Sequence, residues 1–205
     1  MIRSSDLLAP ARALLVSRLT PSSFAHCERV AAAARALAER VGVDPDGAEL
    51  AGLVHDYARD EPREGLVAMA EELGMTVLPV EREDQYLLHA RLGATMLHSD
   101  LPGVGEAVLS AVAVHTVGGV PMADLDKVVY LADMIEPERD YPGVEDVRAS
   151  CATDTLDECF RVGYGRTVRH LREQGRVVHP VSGAVSAAIE QATGRALFDP
   201  REVRS

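Results

Sequence analysis

The stretch Ala51-Gly52-Leu53-Val54-His55-Asp56-Tyr57-Ala58-Arg59-Asp60 decides how this chain is read. Leu50, Leu53, Val54 and Tyr57 recur at helical spacing, so the segment reads as an apolar helix facing a core. An adjacent His55-Asp56 pair is set into it. Polar side chains placed there cost free energy unless something satisfies them, and a metal ion is the simplest satisfier. A His-Asp dipeptide alone is a weak signal. It gains weight from His26, His89, His115 and Asp133, each of which extends an apolar stripe on another expected helix.

Working outward, residues 6–19 read as a first helix. Thr20-Pro21-Ser22-Ser23 is a break in which Ser22 or Ser23 caps the next. That helix, 26–41, carries the stripe Val30, Ala33, Ala34, Leu37 and Val41, with His26 on the same face. Gly42 ends it, and Asp44-Pro45 opens the helix bearing His55-Asp56. Beyond the Glu61-Pro62 break, helices are expected at 63–73, 85–98, 104–115 and 124–135, with 75–79 a connector. Two loops, 116–121 and 136–143, flank the last of these. Two more helices are expected at 153–173 and 182–192, followed by a loose C-terminal tail. His98 lies about half a turn from His89 and reads as a surface residue. His170 and His179 read as structural or solvated.

Composition sets the fold class. At 205 residues the chain suits one domain, 1–205, with its core over about 22–180. It is 47% hydrophobic but only 4% aromatic and lacks Trp, so Ala, Leu and Val supply the apolar mass. That favours an all-α bundle over a sheet. A net charge of −11 argues against a nucleic-acid partner, though a metal and a few arginines can reverse the local potential for a small anion. Cys27, Cys151 and Cys159 form no CxxC pair and are odd in number, which points to a reducing cytoplasm rather than a disulfide framework. Asp6, Pro10, Arg12 and Arg18 interrupt the N-terminal apolar run, so it makes a poor signal peptide, and no stretch has the length of a membrane span. A homodimer is compatible with the sequence.

The donor set has its own chemistry. One buried His is more often a satisfied core residue than a ligand. Six such residues on five expected helices are harder to explain that way, because ionisable groups are seldom buried without partners and bundle cores are where helices pool ligands. Four His and two Asp without Cys do not suit a structural zinc site; they suit Fe, Mn or another octahedral divalent ion. Six donors exceed what one ion takes if water must also bind. Two ions sharing the Asp56 carboxylate divide them sensibly, and such a pair can activate water for attack on phosphorus.

The order His26, His55-Asp56, Asp133 resembles the HD-domain metal-dependent phosphohydrolases. The match is closer to the YqeK family. It is carried by His55-Asp-Tyr-Ala-Arg59, His89-Ala-Arg-Leu-Gly-Ala94, His115-Thr116 and Tyr130-Leu-Ala-Asp-Met-Ile-Glu-Pro-Glu-Arg-Asp-Tyr-Pro-Gly-Val144, and it runs from about Ser22 to Pro180. These are bacterial HD proteins that hydrolyse diadenosine tetraphosphate symmetrically. The resemblance implies an HD-domain helical bundle around a di-iron site. By position, one ion takes His26, His55, Asp56 and Asp133; the other takes Asp56, His89 and His115. It further implies that Arg59 and Arg139 meet the polyphosphate of a small dinucleoside substrate, with Asp56, Arg59 and Arg139 as the catalytic set. Thr116 and the Gly118-Gly119 amides are candidate phosphate cradles. Arg59 stands where the family usually has lysine, and Val117 and Gly119 replace a usual Thr and a usual basic residue. Ala123 replaces a capping Ser, with Asp124 as the substitute cap. Two other readings stay open: an HD phosphohydrolase of another nucleotide, and a non-catalytic helical module with a structural metal.

Overall fold

A computed structural model describes residues 2–197. Among the described residues the chain is all-α. The long helices are α1 (Ser4–Arg18), α2 (Pro21–Val41) and α3 (Pro45–Val54), then α6 (His89–Asp100), α7 (Glu106–Val114), α8 (Asp124–Ile135), α9 (Val144–Thr153), α10 (Leu156–Glu173) and α11 (Val181–Thr193). Between α3 and α6 lie two short helices, α4 (Leu66–Glu72) and α5 (Pro79–Glu83), each paired with a 3-10 turn.

The local signals explain most boundaries. Asp44 caps α3 by accepting from the Asp46 amide at 3.1 Å, with Pro45 in the first turn. Gly42 closes α2 in the left-handed conformation. The α2 cap is Thr20 rather than Ser22 or Ser23; its Oγ accepts from the Ser23 amide, and Pro21 takes the first helical position. The α8 cap is likewise displaced. Asp126, three residues in, accepts the Ala123 amide at 2.8 Å, while Asp124 pairs with Lys127.

Four elements differ from the sequence reading, one being α5, which falls between the expected 75–79 connector and the expected 85–98 helix. α3 ends at Val54, so His55 is its C-terminal cap and Asp56 opens a run of turns to Asp60. The expected helix 85–98 splits into a 3-10 turn, Gln85–Leu88, and α6, with His89 at the junction. α9 fills the unassigned stretch between the expected 136–143 loop and the expected 153–173 helix, which itself begins only at Leu156 as α10. α9 is about half polar and buries one face through Val144, Val147 and Cys151.

Two main clusters form the core. One joins α1, α3, α6 and α7 through Leu15, Leu50, Leu53, Leu97 and Val112. The other joins α2, α8, α9, α10 and α11 through Val30, Leu131, Val147, Tyr164 and Val185. α8 serves both, with Val129 in the first and Val128 and Leu131 in the second. Buried residues extend from Leu7 to Leu197, beyond the expected 22–180. The tail from residue 198 lies outside the described residues.

α2 and α3 share the most extensive helix contact among the described residues, and Gly52 lets their backbones approach. A Cβ at Gly52 would stand 3.0 Å from Ala31 Cα, Ala34 Cβ and the Val30 carbonyl. The turn after α3 is fastened at both ends of its span. Tyr57 donates its hydroxyl to Asp100 on α6 at 2.8 Å, and Asp60 accepts from the Thr20 amide and the Ser23 hydroxyl at the start of α2.

Candidate metal centre

The fold brings all six predicted donors together. His26 comes from α2, His55 and Asp56 from the turn after α3, His89 from the start of α6, His115 from the end of α7 and Asp133 from the last turn of α8. The four imidazoles and Asp56 are buried, and Asp133 is 23% exposed.

Asp56 stands at the centre. Its Oδ2 lies 3.2 Å from His55 Nε2 and 3.7 Å from His26 Nε2. Its Oδ1 lies 3.2 Å from His89 Nε2 and 3.5 Å from His115 Nε2. Asp133 joins the first side, with Oδ1 2.9 Å from His26 Nε2. Two triads therefore share one carboxylate, each with donor atoms lying within 4.8 Å of one another. Donors at right angles around one ion, each about 2.1 Å from it, stand about 3 Å apart.

The ring orientations explain why Nε2 faces inward. His55, His89 and His115 each set Nδ1 against the carbonyl three residues back: Gly52 at 2.7 Å, Tyr86 at 2.6 Å and Val112 at 2.8 Å. Only a protonated Nδ1 can donate there, so in each neutral ring the Nε2 lone pair is free. His26 Nδ1 faces the Glu136 carboxylate at 3.2 Å with the same effect. His89 and His115 then present Nε2 atoms 3.1 Å apart. Two lone pairs at that distance need a cation between them or a proton on one. His26 Nε2, His55 Nε2 and Asp56 Oδ1 are also buried without a hydrogen-bond partner. These donors fit divalent metal ions.

The electrostatics agree. Burial opposes ionisation of Asp56, but the surrounding imidazoles, His55 foremost, hold its carboxyl well below the usual range. Burial likewise disfavours charge on His55, and the Asp56 carboxylate outweighs it and raises that imidazole. His115 goes down, because burial dominates there. Protons and metal ions compete for the same lone pairs.

Above the donors opens a cleft of about 290 Å³, lined by Arg59, Tyr86, Thr116, Asp133, Arg139 and Thr167 among others. Both predicted arginines reach it. Arg59 donates to Asp56 Oδ2 at 2.6 Å, and Arg139 pairs with the Asp133 carboxylate while its Nε donates to the Asp133 carbonyl at 2.9 Å. Thr116 is also in place, its Oγ 3.1 Å from His115 Nε2. Gly118 is not. Its amide donates to the Val114 carbonyl at 2.9 Å, and its α-carbon faces Tyr164 and Val185. A φ of +81° explains the glycine as a turn residue closing α7, so its amide cannot cradle phosphate.

Sequence reasoning missed two neighbours. Glu136 is buried, holds His26 Nδ1, and is itself held by Arg29 Nε at 2.7 Å and the Glu138 amide at 2.9 Å. It lies one turn after Asp133, which was the available signal. Tyr86 stacks on the His89 ring with centroids 4.4 Å apart and carries Arg63 over its face at 4.8 Å. Burial first, and the Asp56 charge next, push its phenol up to about 12. No pattern marked it.

An all-α bundle with paired His and Asp donors around one shared carboxylate defines an HD-type protein. The HD domain family model matches residues 23–138, and the chain belongs to that family. Among curated proteins it is 34% identical over 170 residues to "Bis(5'-nucleosyl)-tetraphosphatase, symmetrical" of Bacillus subtilis, covering 83% of this chain and 90% of that one. The protein of the same name from Staphylococcus aureus is 34% identical over 172 residues, 82% of this chain and 87% of its own. Among solved structures, one described as a predicted HD superfamily hydrolase involved in NAD metabolism from Clostridium acetobutylicum superposes with a TM-score of 0.84 at 26% identity. It covers 90% of this chain and 97% of that one.

Proposed function

We propose that this chain is a metal-dependent phosphohydrolase that cleaves diadenosine tetraphosphate at its central anhydride, giving two ADP. The observation that carries the reading is the single Asp56 carboxylate facing two histidine sets at the floor of a cleft rimmed by Arg59 and Arg139. The name shared by the Bacillus and Staphylococcus relatives supports the substrate and the symmetric cut.

In this reading His26, His55, Asp56 and Asp133 hold one ion, and Asp56, His89 and His115 hold the other. Iron is the metal we propose, with Mn or another divalent ion as the alternative the donors also suit. When bound, the pair supplies positive charge for the phosphates and acidifies water toward neutral pH. The protein's own residues do the rest. The backbone carbonyls of Gly52, Tyr86 and Val112 lock three imidazoles, and Glu136 locks the fourth. Arg59 and Arg139 offer fork-shaped donors to the tetraphosphate, whose transfer chemistry depends on positioning and charge neutralisation. Thr116 places a hydroxyl beside His89 and His115, within reach of a phosphate oxygen in the cleft. The three cysteines are buried and unpaired, which fits a cytoplasmic enzyme. Among the described residues no helix is long and apolar enough to cross a membrane.

The test is hydrolysis of diadenosine tetraphosphate by purified protein with the products resolved. ADP as the sole product is expected; ATP with AMP would reject the symmetric cut. Elemental analysis should find two metal ions per chain. An Asp56→Ala variant that kept both metal and activity would remove the shared carboxylate from the scheme.

A further inference from the structure

Beside the metal cleft lies a second cavity of about 270 Å³, walled by Met134, Tyr141, Pro142, Arg166, Thr167 and His170. We propose that it is a nucleoside pocket that receives one base of the substrate. The proposal rests on the phosphohydrolase reading above and adds where the non-reacting end of the substrate sits.

Three observations carry it. The first is continuity. Met134 and Thr167 line both the cleft and the cavity, so together they form the ridge between the two. The second is the loop after α8, which serves both spaces. Arg139 faces the cleft, and Tyr141, two residues on, faces the cavity. Tyr141 is fixed there by donating its hydroxyl to the Met134 carbonyl at 3.1 Å. A nucleotide lying across the ridge would have its phosphates at Arg139 and its base at Tyr141.

The third is the chemistry of the walls. A phenol ring, a pyrrolidine, a thioether, an imidazole and a guanidinium are surfaces that stack on a flat heteroaromatic ring. Arg166 has no carboxylate partner among the described residues, whereas Arg59 and Arg139 in the neighbouring cleft both have one. Its guanidinium lies over Gly143, where an added Cβ would stand 3.0 Å from Nε. Gly143 thus leaves room for the planar cation that would face a base.

The experiment is calorimetric titration of the metal-loaded full chain with ADP, and in parallel with inorganic pyrophosphate, which has no nucleoside. Both probes are titrated into wild type and into the Arg166→Ala, His170→Ala double variant. Loss of the two side chains is expected to weaken ADP about tenfold or more while pyrophosphate binds as in wild type. ADP binding equal to wild type would overturn the pocket, and so would equal weakening of both probes, which would place these residues at the phosphates. Photolabelling of the unaltered chain with 8-azido-ADP reads the same site without a substitution. Adducts are expected within 134–142 or 166–170, and adducts confined to other segments would overturn the pocket. The two proposals fail separately. A chain that binds ADP through this pocket but releases no ADP from diadenosine tetraphosphate loses the hydrolase assignment alone. A chain that releases ADP but binds it unchanged in the variant loses the pocket alone.

Discussion

Gly52→Ala tests how the metal centre depends on the packing of α2 against α3. The new methyl would meet Ala31 Cα, Ala34 Cβ and the Val30 carbonyl oxygen, all at 3.0 Å. Comfortable carbon contacts lie at about 3.5–4.0 Å, so α2 and α3 must separate by about half an ångström or more. Two of the three obstacles are backbone atoms and cannot rotate away. Inserting a methylene-sized group into a packed core costs about 1–3 kcal/mol, and the upper part of that range applies where backbone must move. Alanine's better helix propensity returns about 1 kcal/mol. The net loss is about 1–2 kcal/mol, which for a chain of this size lowers the melting temperature by about 2–8 °C. The effect on the site is uneven. α2 carries His26 and α3 delivers His55 and Asp56, whereas His89 and His115 reach Asp56 from α6 and α7. Separation of α2 from α3 should therefore weaken the ion held with His26 and spare the ion held with His89 and His115. Thermal melts of the metal-free chain, with elemental analysis after dialysis, read both effects. A variant as stable as wild type that retained two ions per chain would refute the packing argument. Equal loss of both ions would refute the uneven coupling.

Glu136→Gln keeps shape and removes the charge that orients His26, so metal affinity should fall about 10–100-fold with little change in fold, measured by chelator competition. An unchanged affinity would show that Glu136 serves Arg29 and the Glu138 amide and not the metal centre. Arg139→Lys keeps charge but loses the planar fork, and kcat/KM for diadenosine tetraphosphate should fall about tenfold in steady-state assays. Asp126 supplies a pH prediction away from the metals. Burial raises its carboxyl above the ordinary 3.8, against the pull of the Ala123 amide and Ser110. A raised folded value means that the folded state binds the proton more tightly. The stability it contributes is present below 3.8 and is lost as pH rises through the folded value. In denaturant melts Asp126→Asn should gain stability relative to wild type across that window, and a constant difference would contradict it.

The parts of this site that could be read from sequence are those that obey helical periodicity. His26, His89, His115 and Asp133 each continued an apolar stripe, and a residue on the buried face of a helix must point at other helices. The apolar spacing puts His55-Asp56 on a helix, and that helix ends at Val54. His55 still faces the site, because it keeps right-handed helical angles as the cap and its direction is set by the Gly52 carbonyl one turn back. The Gly118 amide departs from the sequence reading for the opposite reason. A glycine pair in a loop after His-Thr suggests a phosphate cradle, but here the chain uses Gly118 to close α7, and that amide is spent on Val114. Glu136 and the wall of the second cavity depend on contacts between separate segments, up to about a hundred residues apart for His26 with Glu136, and Tyr86 sits in a 3-10 turn outside any apolar stripe. Periodicity within a helix carries no term for such contacts.

That division has a physical origin in where the donors stand. Three of the four imidazoles sit at helix ends, with His55 and His115 capping α3 and α7 and His89 starting α6. At those positions a ring can bond the carbonyl three residues back, so one turn of local chain fixes its tautomer and its aim. His26 sits inside α2, and its Nδ1 is held by a carboxylate from another helix end. Local chain therefore aims three of the ligands, while the fourth relies on the α2–α8 packing to bring Glu136 to it. It follows that perturbations of packing should reach the His26 side first, as expected for Gly52→Ala, and that metal bound beside His89 and His115 should survive longest as the chain is loosened with denaturant.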